Sequence, residues 1–266
     1  MSASALGYSR RVATSVGNGM PLTWTTPTLR PVSPDELPDE VSRFPADDAA
    51  DDETRLVSRL VLAIDVQGYS SRPASGQLEV QRDLCAAMER AAAATRLNRR
   101  DWYRQCAGDG ELAVLPDGID LAHVVGRFPL ALERFLGEVN GSRGRGRRLR
   151  VRMAIHHGTL VLGPDASFGP AGDAPIVASR LLDARPLRQL LDERTDRDVA
   201  LAVSVPVYEG VVSTGLCALP PHCFHPIRTT VKKKTYAGYV YDPDAGFPAS
   251  PDSLLGNAIP FPKPHE

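Results

Sequence analysis

The stretch that decides the fold is residues 60–70, which read LVLAIDVQGYS. Its first five residues, Leu60 to Ile64, are all apolar, and a short apolar run of this kind is typical of a strand that is buried on both faces. Asp65 follows directly, so we expect its carboxylate at the end of the strand, where it can face a ligand. Gly68 then permits a sharp turn. These residues alone fit a capping aspartate in a plain strand-to-helix turn equally well.

The segments after this strand alternate between helical and strand-like patterns. Apolar residues recur at helical spacing over residues 76–97 and 120–139, and Pro129 predicts a kink or a split in the second helix. Between the two helices, residues 102–107 and 111–115 form a predicted hairpin, because an Asp-Gly turn joins two strand-like runs.

The second half of the chain begins with residues 149–155, whose strict alternation favours a strand with one solvent-exposed face. We then expect a helix over 174–184, a strand over 199–205, a short helix over 208–214 and a last strand or hairpin over 231–241. The resulting order is β-α-β-β-α-β with additional elements behind it. It predicts an α/β (α+β) fold with a ferredoxin-like βαββαβ core and a C-terminal α/β extension.

Composition limits the function classes that are open to the chain. Its 266 residues are 42% hydrophobic and carry a net charge of −1, so we expect a folded protein with no bulk affinity for nucleic acid. No apolar run is long enough for a membrane span, and the four cysteines form no CxxC pair, which favours a cytoplasmic protein with reduced thiols. Of the 23 prolines, six lie in residues 1–56 and six in residues 243–266. We therefore predict a disordered, acidic lead-in over 1–56, one domain over 57–242 and a proline-rich tail over 243–266.

Three residues are candidates for chemistry. Asp109 lies in the predicted hairpin turn, and in a β-α-β-β layout it can converge with Asp65 on one side of the sheet. Two carboxylates that share a site suit Mg²⁺ or Mn²⁺ carrying phosphate oxygens. Arg180 lies in an apolar helix segment, and a half-buried arginine usually has a carboxylate or a phosphate as its partner.

Residues 143–152 contain six arginines and raise the question of RNA binding. No aromatic residue is interleaved with them, so no base-stacking platform is evident. We favour a solvated loop followed by one strand face.

Together these segments resemble the catalytic domains of class III nucleotidyl cyclases. Residues 64–70 look like the family's first metal motif, and residues 107–109 look like its second. Residues 155–158 with residues 172–181 are similar to its third segment. The resemblance covers roughly residues 57–241.

The resemblance implies a reaction and a set of site residues. Asp65 and Asp109, assisted by the backbone at Val66, would bind two Mg²⁺ or Mn²⁺ ions. Arg180 would contact the triphosphate and stabilise charge at the reacting phosphorus, and Lys232 would bind phosphate. The ribose 3′-hydroxyl would attack the α-phosphate and pyrophosphate would leave. The family builds its active site between two domains, which implies a homodimer with composite sites.

The sequence departs from the family at the positions that select the base. The family's adenine-selecting lysine is Gln105 here, its second base-reading residue is Gly169, and its ribose-orienting asparagine is Ile176. One interpretation is a cyclase for another base, similar to the single-domain pyrimidine cyclases of bacterial anti-phage defence, which would use UTP or CTP. Gln105 would then hydrogen-bond the base, and Tyr69 or Trp102 would stack on it. The alternative is a catalytically inactive module that binds a nucleotide or a protein partner.

Overall fold

The computed structural model describes residues 54–144, 147–162 and 169–244. These residues belong to one compact unit. Except for its last three residues, the predicted lead-in over 1–56 lies outside the described residues, and so does the predicted tail after residue 244.

The described residues form a seven-stranded sheet with helices on both faces. The strands are β1 Arg55–Val66, β2 Tyr103–Ala107, β3 Gly110–Val114, β4 Val151–Leu162, β5 Val199–Ser204, β6 Phe224–Val231 and β7 Lys234–Tyr241. The helices are α1 Ala74–Ala94, α2 Leu121–Asn140, α3 Asp173–Leu182 and α4 Arg185–Glu193, with short helical turns at Arg99–Asp101, Val205–Val207, Tyr208–Val212 and Pro221–Cys223. Within these ranges no helix combines the length and the apolar character needed to cross a bilayer.

The order of the strands confirms the predicted fold class. Neighbouring strands run β2-β3-β1-β4-β5-β7-β6, and each neighbouring pair is antiparallel except β4 with β5. The first four strands, together with α1 and α2, make the ferredoxin-like βαββαβ core. The remaining elements extend the sheet beyond β4, as the order of the sequence segments predicted.

Alternate residues of β1 face two different cores. Leu60, Leu62 and Ile64 pack in the larger core with α1 and α2, whereas Val61 and Ala63 pack in a smaller one with α3. Because side chains alternate along a strand, this pattern directs the next odd-numbered residue, Asp65, to the α3 face of the sheet.

The prediction that α2 splits at Pro129 is wrong. The helix is continuous from Leu121 to Asn140, and Pro129 is buried in it. The ring of a proline removes one backbone hydrogen bond at a cost of about 3 kcal/mol. Phe128 and Leu132 are fully buried on the same helix, and burying such side chains stabilises by about 1.5–3 kcal/mol each. Tertiary packing therefore outweighs the local preference.

The prediction of a solvent-exposed face on residues 149–155 is also wrong. β4 extends over Val151–Leu162, and Met153, Ala154 and Ile155 are all fully buried. The face of β4 that carries Arg152 is covered by α3 and α4 rather than by water. Arg152 is therefore not a solvent-facing residue, and its partner is Asp65, as described below.

Gly110 allows β3 to lie close against β1 at the end of the hairpin. A Cβ at this position would overlap the carbonyl oxygen of Ile64 and would lie 3.3 Å from the Cα of Asp65. Any side chain here would push the hairpin away from β1. The absence of a side chain at residue 110 therefore fixes the position of the preceding residue, Asp109.

We predict that Gly110→Ala lowers the free energy of unfolding by about 1–3 kcal/mol, the usual cost of overpacking. Gly210→Ala is the matched control, because a Cβ there would meet no atom within 4 Å. Urea denaturation of the two variants measures the difference. Equal stabilities would show that β3 does not approach β1 as closely as described.

Candidate functional site

The pairing of β1 with β3 brings Asp65 and Asp109 to one corner of the sheet. Asp65 lies opposite Gly110, and the backbone N–H of Val66 donates to the carbonyl oxygen of Asp109 at 2.8 Å. The negative charge of Asp109 raises the pKa of the Asp65 carboxyl, so the two carboxylates lie within electrostatic reach of each other. Strand register thus places the backbones of the two aspartates, which the sequence analysis expects to converge, next to each other.

Asp65 forms a largely buried ion pair with Arg152. The two residues are directly opposite in the β1–β4 pairing. Arg152 Nε donates to Asp65 Oδ1 at 2.9 Å, and Arg152 Nη2 donates to Asp65 Oδ2. Their side chains are only 14% and 16% exposed. The sequence interpretation missed Arg152 as a site residue; an antiparallel alignment of β1 with β4 would have identified it.

The surroundings of Asp65 disfavour its charged form. Burial is the largest influence and raises the pKa of the carboxyl, the charge and hydrogen bonds of Arg152 lower it, and Asp109 and Asp183 raise it. The net result is a pKa above the ordinary value. A cation placed between Asp65 and Asp109 would reverse this balance, since it would favour both carboxylates.

These residues fit a divalent cation that is completed by other ligands. Mg²⁺ and Mn²⁺ prefer oxygen ligands, and Mg²⁺ is often held by one or two carboxylates together with substrate phosphates. Within the described ranges no group of three or more His, Cys, Asp or Glu side chains could hold a metal alone. Asp65, Asp109 and the backbone at Val66 could therefore hold an ion that also takes oxygens from phosphate or water.

Gln105 and Gly169, the two positions that the resemblance relates to the base, are in contact. Gln105 in β2 lies opposite Leu112 of β3, which lies opposite Ala63 of β1. A Cβ at Gly169 would lie 2.9 Å from Gln105 Cδ and would overlap its Oε1. The glycine therefore makes room for the glutamine amide.

The two aromatic rings expected near the base, those of Trp102 and Tyr69, both pack against the larger core. Trp102 is 3% exposed and packs edge-on against Phe128, with ring centroids 5.5 Å apart. Tyr69 packs against the core between the sheet and α1 and α2, and its hydroxyl accepts a hydrogen bond from Gln81 at 2.7 Å. The burial of Trp102 leaves its ring no free face for a base, whereas Tyr69 is only half-buried.

Arg180 lies on the outward part of α3. Ala174, Ala178 and Leu181 form the buried side of this helix, whereas Ile176, one turn before Arg180, is 45% exposed. Arg180 Nε is shielded from water and has no hydrogen-bond acceptor among the described residues. No ion pair or hydrogen bond within those residues joins Arg180 to Asp65 or Asp109.

The lysines at residues 232–234 form the turn between β6 and β7. Val231 pairs with Lys234, and Lys232 and Lys233 occupy the two turn positions with φ of +47° and +69°. Such values are typical of a tight hairpin turn. Lys234 Nζ lies 3.0 Å from Asp173 Oδ1, at the first residue of α3. Lys234 thus contacts α3, while Lys232 is exposed at the tip of the turn.

Comparison with known proteins places this fold among nucleotidyl cyclases. No protein-family profile and no curated protein matches the sequence. The structure of an adenylate/guanylate cyclase/hydrolase from Silicibacter pomeroyi matches with a TM-score of 0.53 and 22% identity, over 72% of this chain and 100% of that chain. A bacterial light-regulated adenylyl cyclase matches with a TM-score of 0.51 and 16% identity, over 71% of this chain and 53% of that chain. At sequence identities of 22% and 16%, these matches show that this chain shares the fold of those proteins.

We predict that Arg152→Gln raises the pKa of the Asp65 carboxyl further, because both the charge and the hydrogen bonds of Arg152 lower it. A ¹³C NMR titration of the Asp65 carboxyl carbon in metal-free protein measures this pKa. Arg180→Gln is the control, since Arg180 is not among the groups that influence Asp65. An unchanged or lower pKa in Arg152→Gln would contradict the ion pair.

Proposed function

We propose that this chain is a nucleotidyl cyclase that converts a nucleoside triphosphate to a 3′,5′-cyclic monophosphate and pyrophosphate. The observation that carries the proposal is the juxtaposition of Asp65 and Asp109 at one corner of a sheet with the cyclase fold. In the reaction the ribose 3′-oxygen bonds to the α-phosphorus as the bond from that phosphorus to the pyrophosphate oxygen breaks, and the hydroxyl proton is lost.

Asp65, Asp109 and the backbone at Val66 are the groups that would hold two Mg²⁺ or Mn²⁺ ions. When bound, such ions neutralise phosphate charge and make a hydroxyl more acidic. The protein's contribution is to hold one carboxylate at the end of β1, where Arg152 orients it through two hydrogen bonds, and the other in the turn between β2 and β3. Preorganised groups of this kind need no rearrangement as charge develops.

Arg180 and Lys232 supply the positive charge that the reacting phosphates require. A guanidinium near the α-phosphorus would stabilise the charge that develops there, and lysines at the β6–β7 turn would bind the remaining phosphates. Because Arg180 contacts neither aspartate in one copy, we propose that it serves the site of a second copy in a homodimer. The exposed Ile176 and the partnerless Nε of Arg180 on the same helix support this arrangement.

The proposed base is a pyrimidine, so that the substrate is UTP or CTP. A glutamine amide offers both a donor and an acceptor, which suits the polar edge of such a base. The contact of Gln105 with Gly169 supports a role for this amide at the base, because it brings side by side the two positions that the resemblance relates to the base. A cytoplasmic location and a role in anti-phage signalling are also part of the proposal and rest on the resemblance.

A second candidate function is a cyclase-fold module that binds a nucleotide or a protein without turnover. The ion pair of Asp65 with Arg152 favours it, because an arginine on this carboxylate competes with a metal ion. Ile176 also favours it, since an apolar side chain cannot hydrogen-bond a ribose.

Incubation with ATP, GTP, CTP and UTP in the presence of Mn²⁺ separates the two candidates. We expect a cyclic monophosphate and pyrophosphate, with UTP or CTP as the best substrate, detected by mass spectrometry. Asp65→Asn and Asp109→Asn should each lower kcat by at least about 100-fold, because each removes a metal ligand. Asp117→Asn is the control, since this carboxylate is 80% exposed and pairs only weakly with Arg59 at 3.4 Å. No product from any of the four nucleotides would support the non-catalytic module instead.

The composite site makes a separate prediction for mixed variants. Asp109→Asn and Arg180→Gln should each be inactive alone. After the two are mixed and allowed to exchange subunits, about a quarter of the wild-type activity should return, because half the dimers are mixed and each has one intact site. If the site lay within one chain, mixing would restore nothing.

A further inference from the structure

A cavity lined by arginines lies where β1 ends and β4 begins. Its volume is about 600 Å³, and it is lined by the turn after β1, the first turns of α1 and the connection from α2 to β4. We call it the arginine cavity, after its five arginines: Arg72, Arg143, Arg147, Arg148 and Arg150. None of the groups proposed for cyclisation is among its lining residues. Four of its arginines belong to the run at residues 143–152, which the sequence analysis interprets as a solvated loop and one strand face.

That interpretation as a solvated loop is wrong for Arg143, Arg148 and Arg150, whereas Arg147 is 75% exposed. The Arg143 side chain is only 9% exposed and bonds to Glu79 at 3.0 Å, and Arg148 is 23% exposed and pairs with Asp198 at 2.7 Å. Arg150 is half-buried and donates to Gln67 Oε1 at 3.1 Å. These three arginines are therefore held by ion pairs or hydrogen bonds beside the cavity.

Carboxylates compensate only part of this charge. Within the described ranges, Glu79, Asp83 and Asp198 are the carboxylates within ion-pair distance of the five arginines. Arg72 has no such partner there and donates to backbone carbonyl oxygens instead, at 2.8 Å for Arg148. Burial and the charges of Arg143 and Arg147 lower the pKa of Arg72. The positive charges of the five arginines repel one another, and a bound anion would reduce this repulsion.

Several donors around the cavity have no acceptor. The Nε atoms of Arg72 and Arg148 are shielded from water and bond to nothing among the described residues. Arg147 is 75% exposed, and its one ion pair, with Glu79, is long at 3.4 Å. The first turn of α1 adds backbone N–H groups, because α1 begins after Pro73 without a side-chain cap. Unsatisfied buried donors of this kind require an explanation, and a bound anion supplies one.

We propose that the arginine cavity binds a small phosphate-rich anion of the diphosphate or triphosphate class, at a site separate from Asp65 and Asp109. Arginine forms paired hydrogen bonds to phosphate oxygens, and several arginines on one concave surface suit several phosphates. The volume lies in the range of ordinary small-ligand sites and exceeds what one phosphate needs. No aromatic side chain is among the described residues that line the cavity, so they offer no stacking surface of the kind on which single-stranded RNA depends.

Isothermal titration calorimetry of the full chain with inorganic tripolyphosphate, in EDTA, tests the proposal. EDTA removes divalent metal, so metal-dependent binding at Asp65 and Asp109 contributes no heat. The test also does not depend on turnover. We expect one site per chain, an affinity that falls as salt rises, and weaker binding of pyrophosphate and of single phosphate. Arg147→Gln and Arg72→Gln should each weaken tripolyphosphate binding by about tenfold or more.

Matched variants separate this site from other basic surfaces. Arg90→Gln, which changes a half-exposed arginine of α1 that pairs with Glu138, should leave the affinity unchanged. Lys232→Gln reports on tripolyphosphate at the proposed catalytic site instead, since this lysine is not among the residues that line the arginine cavity. Arg147 is exposed enough for its variant to fold, and thermal unfolding checks that it does.

Three outcomes would overturn the proposal. Absence of tripolyphosphate binding would do so directly. Binding that is lost in Lys232→Gln but kept in Arg147→Gln would place the anion at the catalytic site. A single-stranded RNA that binds more tightly than tripolyphosphate and displaces it would identify the cavity as part of a nucleic-acid surface.

Discussion

The structure depends on the register of β1, which pairs with β3 on one side and β4 on the other. Leu60, Leu62 and Ile64 fix this register, because their burial against α1 and α2 is lost if the strand slips by one residue. The same slip would turn Asp65 into the apolar core. Hydrophobic burial on one face of the strand thus positions a carboxylate on the other face.

The register also determines how charge is distributed at this end of the sheet. Asp65 meets Arg152 because the two are opposite each other on neighbouring strands, and Asp109 joins them because β3 lies against β1 at Gly110. A short distance away, the turn after β1 opens on the arginine cavity. The net charge of −1 therefore conceals an uneven distribution of charge. Asp65 lies at the acidic corner, and Gln67, two residues later, already lines the basic cavity.

The sequence predicted those helices and strands in which apolar residues recur at a regular spacing. The hairpin and the helices α1 and α2 lie close to their predicted bounds, whereas β1 extends over Arg55–Val66, well beyond the predicted run Leu60–Ile64. β6 was largely missed, because Pro226 and several polar residues obscure its alternation, and proline is tolerated there since β6 is an edge strand. α4 was missed because it is short and strongly polar. Arg152 was misread because the sequence does not indicate which face of β4 is covered.

The sequence by itself determined the order of elements in the βαββαβ core, the fold class, and two candidate aspartates, one after a strand and one in a turn, because each of these depends on neighbours along the chain. Only the tertiary structure decided that Asp65 pairs with Arg152, that Gln105 rests on Gly169 and that five arginines surround a cavity. These contacts join residues far apart in sequence. They are set by strand register and by the packing of helices on both faces of the sheet, which local periodicity does not encode.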